Sequence, residues 1–78
     1  MARFTVLLYS EDGGYAAVVP TLHVASQGDT VEEALAMAKE AAELKVQWLA
    51  DHHEPILEEE SPPIVASVEV EVPVPASA

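Results

Sequence analysis

The stretch that decides the fold is residues 26–50, which read SQGDTVEEALAMAKEAAELKVQWLA. Thr30 supplies a side-chain oxygen of the kind that caps the free backbone N–H groups at the start of a helix. Glu33 follows three residues later, which is the spacing of a capping box, and acidic residues in the first turn meet the positive end of the helix dipole. The sequence therefore predicts a helix that begins at Val31 and runs to about Ala50.

One wide face of this predicted helix is apolar. Placed at helical spacing, its members are Val31, Ala34, Leu35, Ala38, Ala41, Ala42, Leu44, Trp48 and Leu49, with Met37 and Val46 at the margins. Because alanines allow close approach, we expect the helix to lie across one face of a sheet. Lys45 falls inside the apolar face. Either its stem packs while the ammonium group reaches water or a carboxylate, or this part of the helix faces a partner.

Three strands are predicted before the helix, at residues 3–10, 15–19 and 22–26, from β-branched and aromatic runs. Glu11-Asp12-Gly13-Gly14 has the composition of a tight hairpin turn between the first two strands. The predicted strands and helix together indicate an α+β fold of one domain over residues 1–78.

The region after the helix adds a connection and a fourth predicted strand. Residues 51–63 form an acidic, proline-containing connection. Residues 64–72 alternate valines with Ser67, Glu69 and Glu71, which predicts a strand with one apolar and one charged face. The expected architecture is a two-layer β-β-β-α-β sandwich, in which one long helix covers a small antiparallel or mixed sheet. Residues 75–78 are expected to be frayed.

The composition excludes several classes of function. Three Lys and Arg against 14 Asp and Glu give a formal net charge of −11, so we expect no direct binding to nucleic acid or to an anionic membrane. No apolar run approaches the roughly 20 residues that span a bilayer, and residues 4–9 are too short for a signal peptide. We therefore expect a cytoplasmic protein. The absence of cysteine excludes disulfides, and the absence of Asn favours a thermophilic source.

No residue pattern points to catalysis, a metal or a cofactor. His52 and His53 are adjacent, whereas a metal pair on a helix needs a spacing of three or four residues. The attraction of cations to a helix C-terminus accounts for both histidines. A metal-dependent nuclease, the enzymatic alternative, needs carboxylates that converge from separate elements, such as Asp12 and Asp29. Turn and capping geometry explains these two acids, so we expect no enzymatic activity.

Several short motifs in combination resemble a known family. They are Asp12-Gly13-Gly14-Tyr15, Val19-Pro20, residues 26–35 and Ala38-Lys39-Glu40-Ala41. The chain resembles, over about residues 3–57, the HicB-like antitoxin domain of type II toxin–antitoxin systems. The resemblance implies a partial RNase H-like fold without the catalytic acids. It also implies binding to a small basic mRNA-cleaving toxin of the HicA kind.

The chain departs from that family in two ways. Family members often have a Pro-Gly-Cys-like segment after the Val-Pro pair, where this chain has Leu22-His23-Val24-Ala25. Many members also append a helix-turn-helix or ribbon-helix-helix domain, and this sequence has no such segment. We therefore expect the chain not to regulate transcription by itself.

The negative charge agrees with a basic partner, because complementary charge steers association and adds specificity. We expect the protein to cover the RNA-binding surface of the toxin, with carboxylates in place of phosphates. The candidate contacts are Glu11, Asp12 and Tyr15 at the hairpin, and Glu69 and Glu71 on the last strand. A valine-rich strand at a sheet edge can also pair with another chain, so a homo-oligomer, dimeric or larger, is expected. The alternative is an orphan HicB-like module that oligomerises without a toxin.

Overall fold

The computed structural model describes residues 1–74. Its helix, α1 (Val31–Asp51), begins where the sequence predicts and ends one residue later than predicted. Thr30 has an extended backbone (φ −126°, ψ 165°), and its Oγ1 accepts a hydrogen bond of 3.1 Å from the backbone N–H of Glu33. Glu32 and Glu33 lie in the first turn, where the helix dipole favours negative charge. The predicted N-cap is confirmed.

Three antiparallel strands precede the helix: β1 (Leu7–Glu11), β2 (Gly14–Val19) and β3 (Val24–Gly28). They lie side by side in the order β1-β2-β3. The β1–β2 turn contains Gly13 at φ 75°, a left-handed conformation that glycine adopts without steric cost. The α+β class, with a small antiparallel sheet followed by one long helix, is therefore confirmed.

Two predicted strand boundaries are wrong for one reason, the turn at Pro20. The segment Pro20–Leu22 forms a 3₁₀ turn that ends at His23 in a left-handed conformation (φ 56°). This turn buries Leu22 and delays the third strand to Val24. Because β2 ends where the turn begins, residues 3–5 have no opposing strand, and β1 starts at Leu7 rather than at Arg3.

The predicted fourth strand is absent from the described part of the chain. Residues 64–74, hereafter the C-terminal arm, form no helix or strand, and Ile64 and Val68 are 94% and 84% exposed. The radius of gyration is 16.2 Å, against about 11.5 Å for a compact chain of this length. An alternating pattern makes a strand only where the backbone finds a partner ladder, and the arm has none within residues 1–74. The predicted frayed tail, residues 75–78, lies outside the described residues.

The core between the helix and the sheet is small. Its buried members within the described chain are Ala17, Val19, Leu22, Ala34 and Ala38, and Val19 is the largest side chain with less than 2% exposure. The helix packs against β2 and β3. A Cβ atom added at Gly28 would lie 2.5 Å from the backbone nitrogen of Ala34. The expected close approach of an alanine-rich helix to the sheet is confirmed.

Candidate functional site

An acidic concavity lies at the hairpin end of the sheet. It is lined by Glu11, Asp12 and Tyr15 from the β1–β2 hairpin and by Asp29 and Glu33 from the start of α1. The four carboxylates belong to exposed residues, so their charge is available to a partner. The structure brings three of the five predicted contact residues together here. Asp29 and Glu33 join them, although the sequence accounts for both by helix capping alone.

The other two predicted contact residues, Glu69 and Glu71, lie elsewhere. They belong to the exposed C-terminal arm and do not line the acidic concavity. Their valine neighbours Val68, Val70 and Val72 are 84%, 73% and 79% exposed. The arm is therefore a second surface with its own chemistry, in which apolar side chains alternate with carboxylates.

An apolar groove opens between the β1 side of the sheet and α1. The residues that line it are mainly apolar: Met1, Ala2, Phe4, Val6, Val19, Ala38, Ala42 and Val46, with Lys39, Glu43 and Gln47 also at its surface. Its volume of about 390 Å³ falls within the range of small-molecule pockets, roughly 300–1,000 Å³. The groove exists because α1 lies mainly over β2 and β3, so that on the β1 side only Phe4 and Val6 pack against the core. The groove is therefore a consequence of a three-stranded sheet, whereas the sequence predicts four strands.

Glu59 attaches the chain that follows the helix to the start of the sheet. Its carboxylate accepts hydrogen bonds from the Thr5 hydroxyl at 2.6 Å, the Thr5 backbone N–H at 2.7 Å and the Thr21 hydroxyl at 3.1 Å. The hydrogen bond from the Thr5 hydroxyl is the largest cause that lowers the pKa of Glu59, followed by that from the Thr5 backbone. Desolvation acts in the opposite direction and is outweighed. Glu58 and Glu60 flank it, and nothing in the sequence distinguishes the central glutamate.

Part of the predicted sheet-facing surface of the helix is exposed. Met37, Leu44 and Trp48 form a stripe along one side of α1 and are 41%, 67% and 49% exposed; Leu35, on the other margin, is 40% exposed. Their assignment to the face that contacts the sheet is therefore wrong. The predicted apolar face is wider than the sheet can cover, because α1 packs mainly on β2 and β3.

Aromatic and cationic groups meet at the end of this stripe. The Lys45 Nζ lies 5.4 Å from the centroid of the Trp48 ring, within cation–π range. The His52 ring stacks on Trp48 with centroids 4.0 Å apart, and its Nδ1 lies 2.8 Å from the Trp48 carbonyl oxygen. Lys45 is half-buried and sets its ammonium group over an aromatic face, which agrees with the first interpretation, in which the stem of Lys45 packs against the protein.

Two observations on the described residues concern metal ligands and membrane-spanning helices. Within residues 1–74, no group of three or more histidine, aspartate or glutamate side chains is placed to hold a metal ion. Across the same residues, no helix is both long and apolar enough to cross a bilayer. The distinctive features of this small α+β protein are its exposed surfaces. They are the acidic concavity, the apolar groove and the C-terminal arm.

Comparison with known proteins identifies the family. The chain is 48% identical over 60 residues to the UPF0150 protein ssr1765 of Synechocystis sp., a match that covers 74% of this chain and 76% of the relative. The chain belongs to the UPF0150 family. No family model and no solved structure matches it significantly.

Proposed function

We propose that this protein is an antitoxin that binds a small, basic, mRNA-cleaving toxin of the HicA kind and blocks its RNA-binding surface. The observation that carries the proposal is the acidic concavity at the hairpin end, in a chain of net charge −11. A protein that binds RNA presents cationic groups to phosphates, and a carboxylate-rich surface is complementary to them. The motif resemblance of residues 3–57 to the HicB-like antitoxin domain indicates the class of partner.

The positions of the acidic residues support the proposal that carboxylates take the place of RNA phosphates on the toxin. Glu11 and Asp12 project from a turn, while Asp29 and Glu33 come from the adjoining strand–helix junction. The chain has three Lys and Arg residues against 14 acids, so most of this charge is not neutralised internally. Tyr15 adds an amphipathic ring to the same concavity, which suits an interface residue.

The partner can be identified by co-purification from the native host, followed by mass spectrometry in low and high salt. We expect a small basic protein that is released as the salt concentration rises and whose RNA cleavage stops when this chain is added back. Recovery of this chain alone, from cells that express every neighbouring gene, would contradict the proposal.

A charge-reversal pair then locates the binding site. Glu11→Lys with Asp12→Lys changes the net charge by as much as Glu32→Lys with Glu40→Lys, whose side chains are exposed on α1 and do not line the concavity. At about 1 kcal/mol for each interfacial ion pair, we expect the first pair to weaken toxin binding about 30-fold. The control pair should have a much smaller effect. Equal losses would show that the acidic concavity is not the binding site.

A second candidate function is self-assembly without a toxin. The exposed C-terminal arm favours it, because an unpaired strand-like segment with a row of valines is suited to pairing with another chain. The two candidates differ in salt dependence. Attraction between opposite charges weakens in salt, whereas association between two negatively charged copies strengthens.

A further inference from the structure

The C-terminal arm carries a row of apolar side chains that stay exposed in the described part of the chain. The side chains of a strand alternate between its two sides, so residues of one parity share a side. The odd-numbered positions include Ser67, Glu69 and Glu71. The even-numbered positions are all apolar and all exposed: Ile64, Ala66, Val68, Val70, Val72 and Val74.

The free edge of β1 is a place where the arm can pair and its apolar row can pack. β1 is an outer strand of the sheet, so the backbone groups on its free side have no strand partner. Leu8 pairs with Ala17, which is fully buried beneath α1, so the even-numbered residues of this segment face the helix. Val6 lies on that side and lines the apolar groove. A strand added to β1 with its apolar row on the same side would insert its valines into the groove.

We infer that the arm of one copy pairs with the β1 edge of a second copy, with its valine row in that copy's groove. This inference is independent of the proposed antitoxin function. In this arrangement Glu69 and Glu71 face the opposite side of the sheet, where solvent accommodates their charge. Two copies related by a two-fold axis exchange arms, so each groove receives one arm.

The surface area favours such an exchange. The accessible surface is 6628 Å², whereas a compact monomer of 8.3 kDa has about 4,600 Å². The excess of about 2,000 Å² on one copy is larger than the roughly 800 Å² that each partner buries in a standard protein–protein interface. Within residues 1–74 the core also contains no fully buried side chain larger than Val19, and a core of that size is small for an independent fold. Arm exchange would cover both apolar surfaces at once.

The arm does not reach the groove of its own copy. Glu59 holds the preceding segment against Thr5 and Thr21. From there the chain passes Leu7 and Tyr9, which are odd-numbered residues on the face of the sheet opposite the helix. The groove opens on the helix side, so the arm of the same copy would have to cross to the other face of the sheet to enter it. The arm of a second copy can enter the groove while each chain keeps the path described here.

A matched pair of variants tests the inference by sedimentation equilibrium. The wild-type chain should have twice the 8.3 kDa chain mass, and its dimer should tighten as salt screens the repulsion between two acidic copies. Val70→Glu should weaken the dimer at least tenfold. Val65→Glu adds the same charge at an odd-numbered position and should weaken it less than threefold. Neither residue is in the core, so circular dichroism should show an intact helix in both variants.

Cross-linking identifies the strand that receives the arm. The chain has no cysteine, so copies with only Val70→Cys can be mixed with copies with only Leu8→Cys and treated with a short bis-maleimide. We expect a mixed dimer, and none when Val65→Cys replaces Val70→Cys.

Several results would overturn the arm exchange. They are a monomer at every concentration, a dimer that tolerates Val70→Glu, and a Leu8→Cys/Val70→Cys double variant that cross-links within one copy at high dilution. Failure of the antitoxin proposal is a separate outcome. Toxin binding should be lost on substitution of Glu11 and Asp12 and should weaken as the salt concentration rises. Self-association should be lost on substitution of Val70 and should strengthen as the salt concentration rises.

Discussion

Replacement of Gly28 by alanine tests the close approach of α1 to β3. The added Cβ would lie 2.5 Å from the backbone nitrogen of Ala34 and 2.9 Å from its Cα, closer than real Cβ contacts. Both atoms belong to the backbone and cannot rotate away, so the helix must move from the sheet and loosen the packing of Ala34 and Ala38. Overpacking costs about 1–3 kcal/mol, and we expect Gly28→Ala to lie near the upper end of this range.

Gly13→Ala is the matched control, because the two variants add the same methyl group. A Cβ at Gly13 meets no atom within 4 Å, but the backbone has a φ of 75°. A left-handed conformation costs an L-residue about 1 kcal/mol, so Gly28→Ala should lose about 2 kcal/mol more. This difference is large, because a chain of this length has a total stability of roughly 4–12 kcal/mol.

Urea unfolding followed by the circular dichroism of the helix measures the difference. All variants should be compared at one protein concentration, since association adds stability that depends on concentration. We expect the midpoint of Gly28→Ala to fall well below that of Gly13→Ala, with similar slopes. Equal midpoints, or a lower midpoint for Gly13→Ala, would refute the argument that the helix backbone limits residue 28.

Three further predictions concern the cap, the anchor and the exposed stripe. Thr30→Ala should lower the free energy of unfolding by about 1 kcal/mol in urea titrations, because one helix N–H loses its acceptor. The lowered pKa of Glu59 means that its contribution is complete above its ordinary pKa of 4.5 and is lost as the pH falls through the lowered value. Amide exchange at Thr5, relative to the intrinsic rate, should therefore rise in acid, and Glu59→Gln should raise it at neutral pH; unchanged protection would contradict the anchor. Leu44→Ala, at a residue 67% exposed, should change stability by less than about 0.5 kcal/mol. Leu22→Ala, at a residue 3% exposed, should cost about 2–5 kcal/mol, and similar losses would show that the stripe is packed in solution.

The elements that the sequence predicts well are those with local causes. The start of α1 follows from the side chain of Thr30 and the backbone N–H of Glu33, three residues apart. The β1–β2 hairpin follows from a turn that includes Gly13, whose backbone conformation suits glycine. The acidic concavity could be predicted in part, because Glu11, Asp12 and Tyr15 are neighbours in sequence.

The features that the sequence does not predict depend on contacts between distant residues. The pattern of residues 64–72 predicts a strand but not its partner, and residues 1–74 of the single chain supply none. The exposure of Leu44 and Trp48 depends on how many strands the helix covers, which helical periodicity does not report. Glu59 differs from Glu58 and Glu60 only in lying next to Thr5 and Thr21, so its role appears only in three dimensions.

The small core has a consequence for the lifetime of the protein in a cell. Proteases cleave chains mainly when they open, and the opened fraction is high when few large side chains hold the helix on the sheet. A ligand that binds only the folded form lowers that fraction by a factor that grows with its concentration. Val19 is the largest fully buried side chain among the described residues. The cellular level of this protein should therefore rise with the concentration of a partner that binds its folded form, and copies without a partner should be degraded first.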